Sequence, residues 1–459
     1  LITCIAYSMH ATALTTALPP IIADFQITAV TGQWLTSGYS LAMGTMMPLT
    51  AFLITRFPTR RLYLAAIICF ILGLVFCMVA PSFPFMMVGR IIQACGNGIL
   101  TSMAQVILLT IYPKEKRGAV MGWYGLSVGA APVIAPTIAG LLVDSLGWRM
   151  IFVAAIVIMI VSLVFALAVF DNVLETVKKR FDLSSFVLSA FTFGGITLGI
   201  GNIGAFSFAS IQVLIPLVVG GVAAVFFVYR QFHQAEPFLD LRVLRQKDYT
   251  LSVIGSMLLY LVMMGSSVIL PLYVQSILGH SATISGLVTL PGSLAMALVS
   301  PFAGRIYDRI GIKKLFVTGA LFMLIGNMGM VFLTMVTPVW VAALCNVVRC
   351  MAIGCLMMPL VSWGIGSVKQ TLTAHGTALL TSLRTIAGAI GIAVFVGIMT
   401  SVSDHSTARY GAEAPMHGLN MTFLAMSLST AALLLIAVFL VKASGRTDSK
   451  LPPCEQVQE

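Results

Sequence analysis

The sequence predicts an all-α integral membrane protein, and three observations predict it. Of 459 residues, 59% are hydrophobic and only 9% are charged, where a water-soluble domain carries about 25% charge. Apolar runs of about 20 residues, the length at which a helix crosses the hydrocarbon core, recur along the whole chain. The Lys and Arg residues gather in short clusters at alternate breaks between those runs. A membrane β-barrel would instead alternate apolar and polar residues along short strands. Helices satisfy their own backbone hydrogen bonds in lipid, so recurring long apolar runs read as helices.

The runs lie at 1–22, 34–55, 62–80, 84–112, 119–143, 149–170, 184–204, 211–229, 250–278, 284–304, 315–336, 338–361, 373–400 and 419–441, which makes fourteen spans. The chain opens on Leu1, and its first run lacks a basic leading region, so it reads as a span and not as a cleaved signal peptide. Basic clusters follow the even-numbered spans: Arg56/Arg60/Arg61, Lys114/Lys116/Arg117, Lys178/Lys179/Arg180, Arg230/Arg242/Arg245/Lys247, Arg305/Arg309/Lys313/Lys314, Lys369, and Lys442/Arg446/Lys450 at the tail. By the positive-inside rule these breaks and both termini are cytoplasmic. The count checks itself, since a missed span would invert every later cluster.

The longest breaks, 171–183, 230–249 and 401–418, are too short to fold as soluble domains. No GxxxxGK[ST] sequence occurs, so the chain carries no phosphate-cradling loop for ATP-driven work. A net charge of +11 raises nucleic acid as a partner, but the basic residues are spread between spans and not gathered on a polar domain. Eight cysteines show no metal-ligand spacing, and seven lie inside apolar runs as small fillers. No metal site and no cofactor is expected. Neither HExxH nor a soluble output domain supports the rival readings of intramembrane enzyme or sensor.

An internal repeat organises the spans. LITRFPTRRLY at 53–63 parallels IYDRIGIKKLF at 306–316, each a basic turn between two spans, and Arg90 and Arg349 each sit in the following-but-one apolar run of their half. The expected units are a six-helix half at 1–170, two inserted helices with their loops at 171–249, a second six-helix half at 250–443, and a tail at 444–459. Such repeats favour halves that rock around a site near the bilayer midplane.

At this point the chain resembles the major facilitator superfamily, and within it the fourteen-span drug:proton antiporters of the lincomycin-resistance and multidrug type. The resemblance covers essentially the whole chain. It rests on MHATALTTALPP at 9–20, GRIIQACGNG at 89–98, GAAPVIAPTIAG at 129–140, PLYVQSILGHSATISGLVTLPG at 271–292, GRIYDRIG at 304–311 and HGTALLTSLRTIAGAIG at 375–391. It implies a major-facilitator fold in a bacterial cytoplasmic membrane, a monomer, and export of drug-like amphiphiles in exchange for protons by alternating access. An uptake carrier or uncoupled facilitator for a metabolite is the alternative.

The residues then take candidate roles. Gly125, Gly129, Pro132, Pro136 and Gly140 form the antiporter motif of the fifth span, whose small face permits close helix contact and whose prolines weaken the backbone ladder. An ordinary kinked membrane helix reads the same way from spacing alone. Arg90, with Gln93 on its face, and Arg349 and Arg384 sit inside apolar runs, where an arginine needs a polar cavity or a partner. Arg56, Asp308, Arg309 and Gly311 resemble a cytoplasmic gate, although the first-half copy has Thr55 and Pro58 where an acid and a glycine are expected.

The first span departs further. Where the family places an acid, this chain has His10, followed by Thr12. All fifteen acidic residues fall in loops, tails or span ends, so His10 is the candidate proton carrier, by virtue of a pKa near 6.5 in water. An interior with arginines and no carboxylate favours neutral, zwitterionic or weakly anionic substrates over permanent cations. The 26 Met and 27 Phe suit an adaptable apolar pocket or plain packing.

Overall fold

The computed structural model describes residues 2–27, 29–113, 116–174, 176, 181–204, 210–234, 237–280 and 282–441. Thr12, Pro132 and Pro136 lie on helices, but their side chains fall outside the described set.

Fourteen α-helices order the described chain: α1 (Ile2–Asp24), α2 (Ala29–Arg56), α3 (Thr59–Met78), α4 (Phe83–Ile111), α5 (Arg117–Leu146), α6 (Met150–Val169), α7 (Leu183–Gly201), α8 (Ile211–His233), α9 (Lys247–Leu272), α10 (Ala282–Ile310), α11 (Ile312–Val331), α12 (Val339–Gly366), α13 (Thr373–Tyr410) and α14 (Ala414–Leu435). Eleven are long and apolar enough to cross a membrane. The other three, α1, α2 and α5, have 23, 28 and 30 residues and each contains side chains outside the described set.

Packing follows the repeat. In the first half α1 lies against α5, α2 and α3 against α4, and α3 against α6; α9 with α13, α10 and α11 with α12, and α11 with α14 reproduce the same pairs. The halves meet along two seams, α5 with α10 and α2 with α13, which a pseudo-two-fold axis exchanges. The inserted pair breaks that symmetry, because α7 packs on α2 and α13 and so covers only the second seam. Outside it, α8 turns Ile215, Val218, Val222, Val225 and Phe226 outward, a face that lipid can solvate and water cannot.

The break expected at 401–418 is shorter than its composition indicates. Helix α13 runs through SVSDHSTARY to Tyr410, because its polar side chains bond back to the turn before them, Thr407 Oγ1 donating to the Ser403 carbonyl at 2.9 Å. It stops at Gly411, whose φ of +52° ends the helix.

One polar cluster ties the insert to the basic end of the bundle. Asp182 caps α7, accepting from the Ser185 backbone N–H at 3.2 Å, and receives both Arg230 Nε and Nη2 of α8 at 3.1–3.2 Å. Gln231 reaches from α8 to Ser185 and to the Leu239 backbone N–H. The loop then folds back so that the Asp240 backbone N–H donates to His375 Nδ1 on α13 at 3.3 Å. Burial pushes the Asp182 carboxyl up, but Arg230, Ser185 and Gln234 outweigh it and hold the group well below the usual carboxylate range. A carboxyl depressed on folding stabilises above its unfolded pKa of about 3.9 and loses that contribution as pH falls through its folded value. Wild type should therefore lose thermal stability below about pH 4 more steeply than Asp182→Asn; parallel melting curves for the two would contradict this.

Candidate functional site

Helix α4 carries a row of polar side chains at helical spacing, Arg90, Gln93, Asn97, Thr101 and Gln105, so they share one face through most of the helix. Each finds a partner on that face. Arg90 Nε donates to the Leu35 carbonyl of α2 at 3.0 Å, its Nη1 donates to Gln93 Oε1, and its guanidinium lies 4.0 Å from the Tyr39 ring centroid. Asn97 Nδ2 donates to the Tyr39 hydroxyl at 2.5 Å, and Thr101 donates to Asn97 Oδ1 at 3.2 Å. Gln105 Nε2 donates to the Tyr124 hydroxyl of α5, which also meets the Tyr7 hydroxyl of α1, both at 3.3 Å. Sequence reasoning isolated Arg90 and Gln93 but missed Tyr7, Tyr39, Asn97, Thr101, Gln105 and Tyr124. The 3-4-4-4 spacing along the fourth span was the available signal.

The three buried arginines are not equivalent. Arg90 is held on every side just described. Arg349 of α12, its counterpart by the repeat, donates from Nη2 to Asn346 Oδ1 at 2.5 Å and from Nη1 to Met330 Sδ at 3.9 Å. Arg384 of α13 lies on the Tyr260 ring of α9, 4.4 Å from its centroid, and is 5% exposed, yet its Nε and Nη1 have no hydrogen-bond partner. No carboxylate among the described residues is buried to balance these charges.

His10 sits elsewhere. It is 3% exposed, its ring 5.1 Å from that of Phe152 on α6 and 6.4 Å from that of Phe70 on α3, and neither ring nitrogen has a partner. The histidine thus faces the interior of the first half, and the structure does not bring it together with Arg384.

The gate residues lie where α5 and α10 cross at the basic end. Asp308 accepts the Gly118 and Ala119 backbone N–H groups at 2.9 and 2.8 Å, so a carboxylate from one half caps the first turn of a helix from the other. The helices touch through backbone: a Cβ on Gly304 would overlap the Gly118 carbonyl oxygen, and one on Gly122 would lie 2.7 Å from the Ser300 carbonyl. Gly125 abuts Ser300 and Met358, and Gly129 lies near Met296, but at Gly140 and at Gly286 a Cβ would meet nothing within 4 Å. The tight backbone contacts of this seam thus lie at its basic end. Gly311 takes a φ of +77° in the turn into α11, and Arg309 is exposed beside it while Arg56 is half-buried.

The pseudo-equivalent corner is built differently. Thr55 turns its hydroxyl back onto the Ala51 and Phe52 carbonyls of its own helix, and the N-terminus of α13 has no side-chain cap. A cavity of about 410 Å³ lies between them, lined by Ile54, Thr55, Val106, Thr110, Val173, Leu174, Gln370 and Thr373 among others. The letters GLSVG at 125–129 match a hydrolase nucleophile elbow, but they lie in mid-helix and Ser127 Oγ donates to the Trp123 carbonyl at 3.0 Å. That geometry does not present a nucleophile, which needs a sharp strand-to-helix turn.

Comparisons with known proteins agree with this architecture. The family model for the Major Facilitator Superfamily matches residues 1–392. The uncharacterized MFS-type transporter YcnB of Bacillus subtilis is 36% identical over 417 residues, covering 91% of this chain and 88% of its own. The lincomycin resistance protein LmrB of the same organism is 38% identical over 394 residues, with 85% and 82% covered. Among solved structures, the human organic anion transporter MFSD10 aligns with a TM-score of 0.63 over 94% of this chain and 98% of its own, at 14% identity, a likeness of fold. By the family match, the length of the alignments and the shared helix arrangement, this chain belongs to the major facilitator superfamily.

Proposed function

We propose that the chain exports drug-like amphiphiles across a bacterial cytoplasmic membrane in exchange for protons, as a monomer with its basic end and both termini in the cytoplasm. The observation that carries this reading is the seam between α5 and α10, where Asp308 of one half caps the first turn of a helix from the other at the basic end. A carboxylate that joins the two halves at one end is a contact that an alternating-access cycle must break and remake. The clustering of Lys and Arg makes the latched end cytoplasmic. Identity to lincomycin resistance protein LmrB supports export and a drug-like substrate. The halves move as the units 1–170 and 250–443, with 171–249 riding on the α2/α13 seam.

Within this reading His10 carries the coupled proton, since it is the titratable side chain of α1 that is buried with both ring nitrogens open. The same enclosure favours a second reading, an uncoupled facilitator, because Phe70 and Phe152 pack against the ring and neither nitrogen has a hydrogen-bond partner. Transport assays in an efflux-deficient bacterium separate the two. Antiport predicts that wild type lowers lincosamide accumulation only while the proton gradient stands. His10→Ala should lose that gradient dependence yet still equilibrate substrate downhill, while a His10→Ala variant that keeps full gradient-driven efflux removes His10 from the mechanism.

A further inference from the structure

Among the buried arginines, Arg384 alone has two guanidinium donors with no partner. Arg90 is neutralised geometrically by the Leu35 carbonyl, Gln93 and the Tyr39 ring, and Arg349 leaves only Nε open. Arg384 has its ring contact with Tyr260 and nothing for Nε and Nη1. One turn earlier on α13, Thr381 is 1% exposed and its hydroxyl also lacks a partner. A buried guanidinium without acceptors is expensive to maintain, and such a group persists where a ligand completes it.

We propose that Arg384, with Thr381 beside it and Tyr260 beneath it, is the subsite that binds a monoanionic carboxylate head group of the transported molecule. This rests on the export reading above and names the substrate class. The single charge sets the class: no second cation on α13 or α5 is buried beside Arg384, so a dianion such as phosphate would keep an uncompensated charge in a low-dielectric site. The packing between the halves along α13 and α5 is sulfur-rich, with Met47 of α2 at 4.0 Å from Thr385 Oγ1, Met358 against Gly125 and Met296 near Gly129. Methionines adapt to bodies of varied shape, which leaves the head group as the selective element. The hydroxyl of Thr381 supplies a further donor, so the two residues recognise an acceptor together.

The test compares naphthylacetate, its methyl ester and naphthylethylamine on the full chain, by ligand-induced shift of melting temperature in detergent and by flux in vesicles. Wild type should bind the carboxylate at least tenfold more tightly than the ester or the amine. In Arg384→Gln that ratio should fall to within about twofold of one, and Arg384→Lys should keep a reduced preference, which guards against a Gln variant that fails to fold. Equal binding of the three compounds by wild type, or an undiminished preference in either variant, overturns the proposal. The two readings fail separately. Arg384-dependent carboxylate binding with no flux leaves the subsite and sinks the export reading, while flux of ester and amine with no carboxylate preference does the reverse.

Discussion

Leucine in place of Gly304 should abolish transport and lower the yield of folded protein. At that crossing the Gly118 carbonyl occupies the space of any Cβ on α10, and neither partner is a side chain that can rotate away. Overpacking in a tight core costs about 1–3 kcal/mol when side chains can shift, and here two helix backbones must separate instead. That separation also pulls Asp308 from the Gly118 and Ala119 N–H groups, one turn further along α10. The measurement is steady-state efflux together with the folded fraction after size-exclusion chromatography. A Gly304→Leu variant exporting at more than half the wild-type rate would show that the close crossing is dispensable.

The second large effect is expected at Asp308. In Asp308→Asn the side chain keeps its shape but loses its charge, so two charge-assisted hydrogen bonds to the first turn of α5 become one neutral bond and one clash of donors. A hydrogen bond to a charged group is worth about 1.5–3 kcal/mol. Losing about 2 kcal/mol would shift the balance between gate-closed and gate-open states by roughly thirtyfold. Cysteines placed on the α5 and α10 faces near Ser300 should then label faster from the basic side, and net export should fall about tenfold or more. Unchanged labelling would mean that backbone contact alone holds the latch.

Much of the fold was legible because lipid imposes a crude code. A helix in hydrocarbon must be long, apolar and uncharged, and the basic loops alternate with it, so fourteen spans could be counted from composition alone. The misjudged break, 401–410, failed because that rule reads polarity as loop, whereas Ser, Thr and His bond back to their own helix and let α13 continue into water. The latch was legible in part. The acid at 308 and the glycine at 311 stood out as a motif, but nothing local to GRIYDRIG indicates that its carboxylate caps α5, since that contact joins residues 190 positions apart.

The site was the least legible. Arg90, Arg349 and Arg384 look alike in sequence, each a charge in an apolar run. Their difference lies in carbonyls, rings and amides supplied by other helices, Leu35 and Tyr39 for one, Asn346 for another and Tyr260 for the third. The absence of an acid at the Thr55 corner also gained meaning only in three dimensions. There α13 begins uncapped over a cavity, and α7 packs against the same seam. The inserted helices therefore buttress the seam that lacks a carboxylate latch, and the Asp182–Arg230 cluster, with the Asp240 contact to His375, secures them to it.

Energised flux tests the central claim most directly. Purified protein in proteoliposomes, oriented by the labelling of its basic loops, would be loaded with a lincosamide and, in parallel, with naphthylacetate, and the pH gradient imposed and then collapsed. The account predicts movement out of the compartment facing the basic end, halted when the gradient is collapsed and lost in Asp308→Asn. Flux of equal rate in both directions with no response to the gradient would contradict it and leave a facilitator in its place.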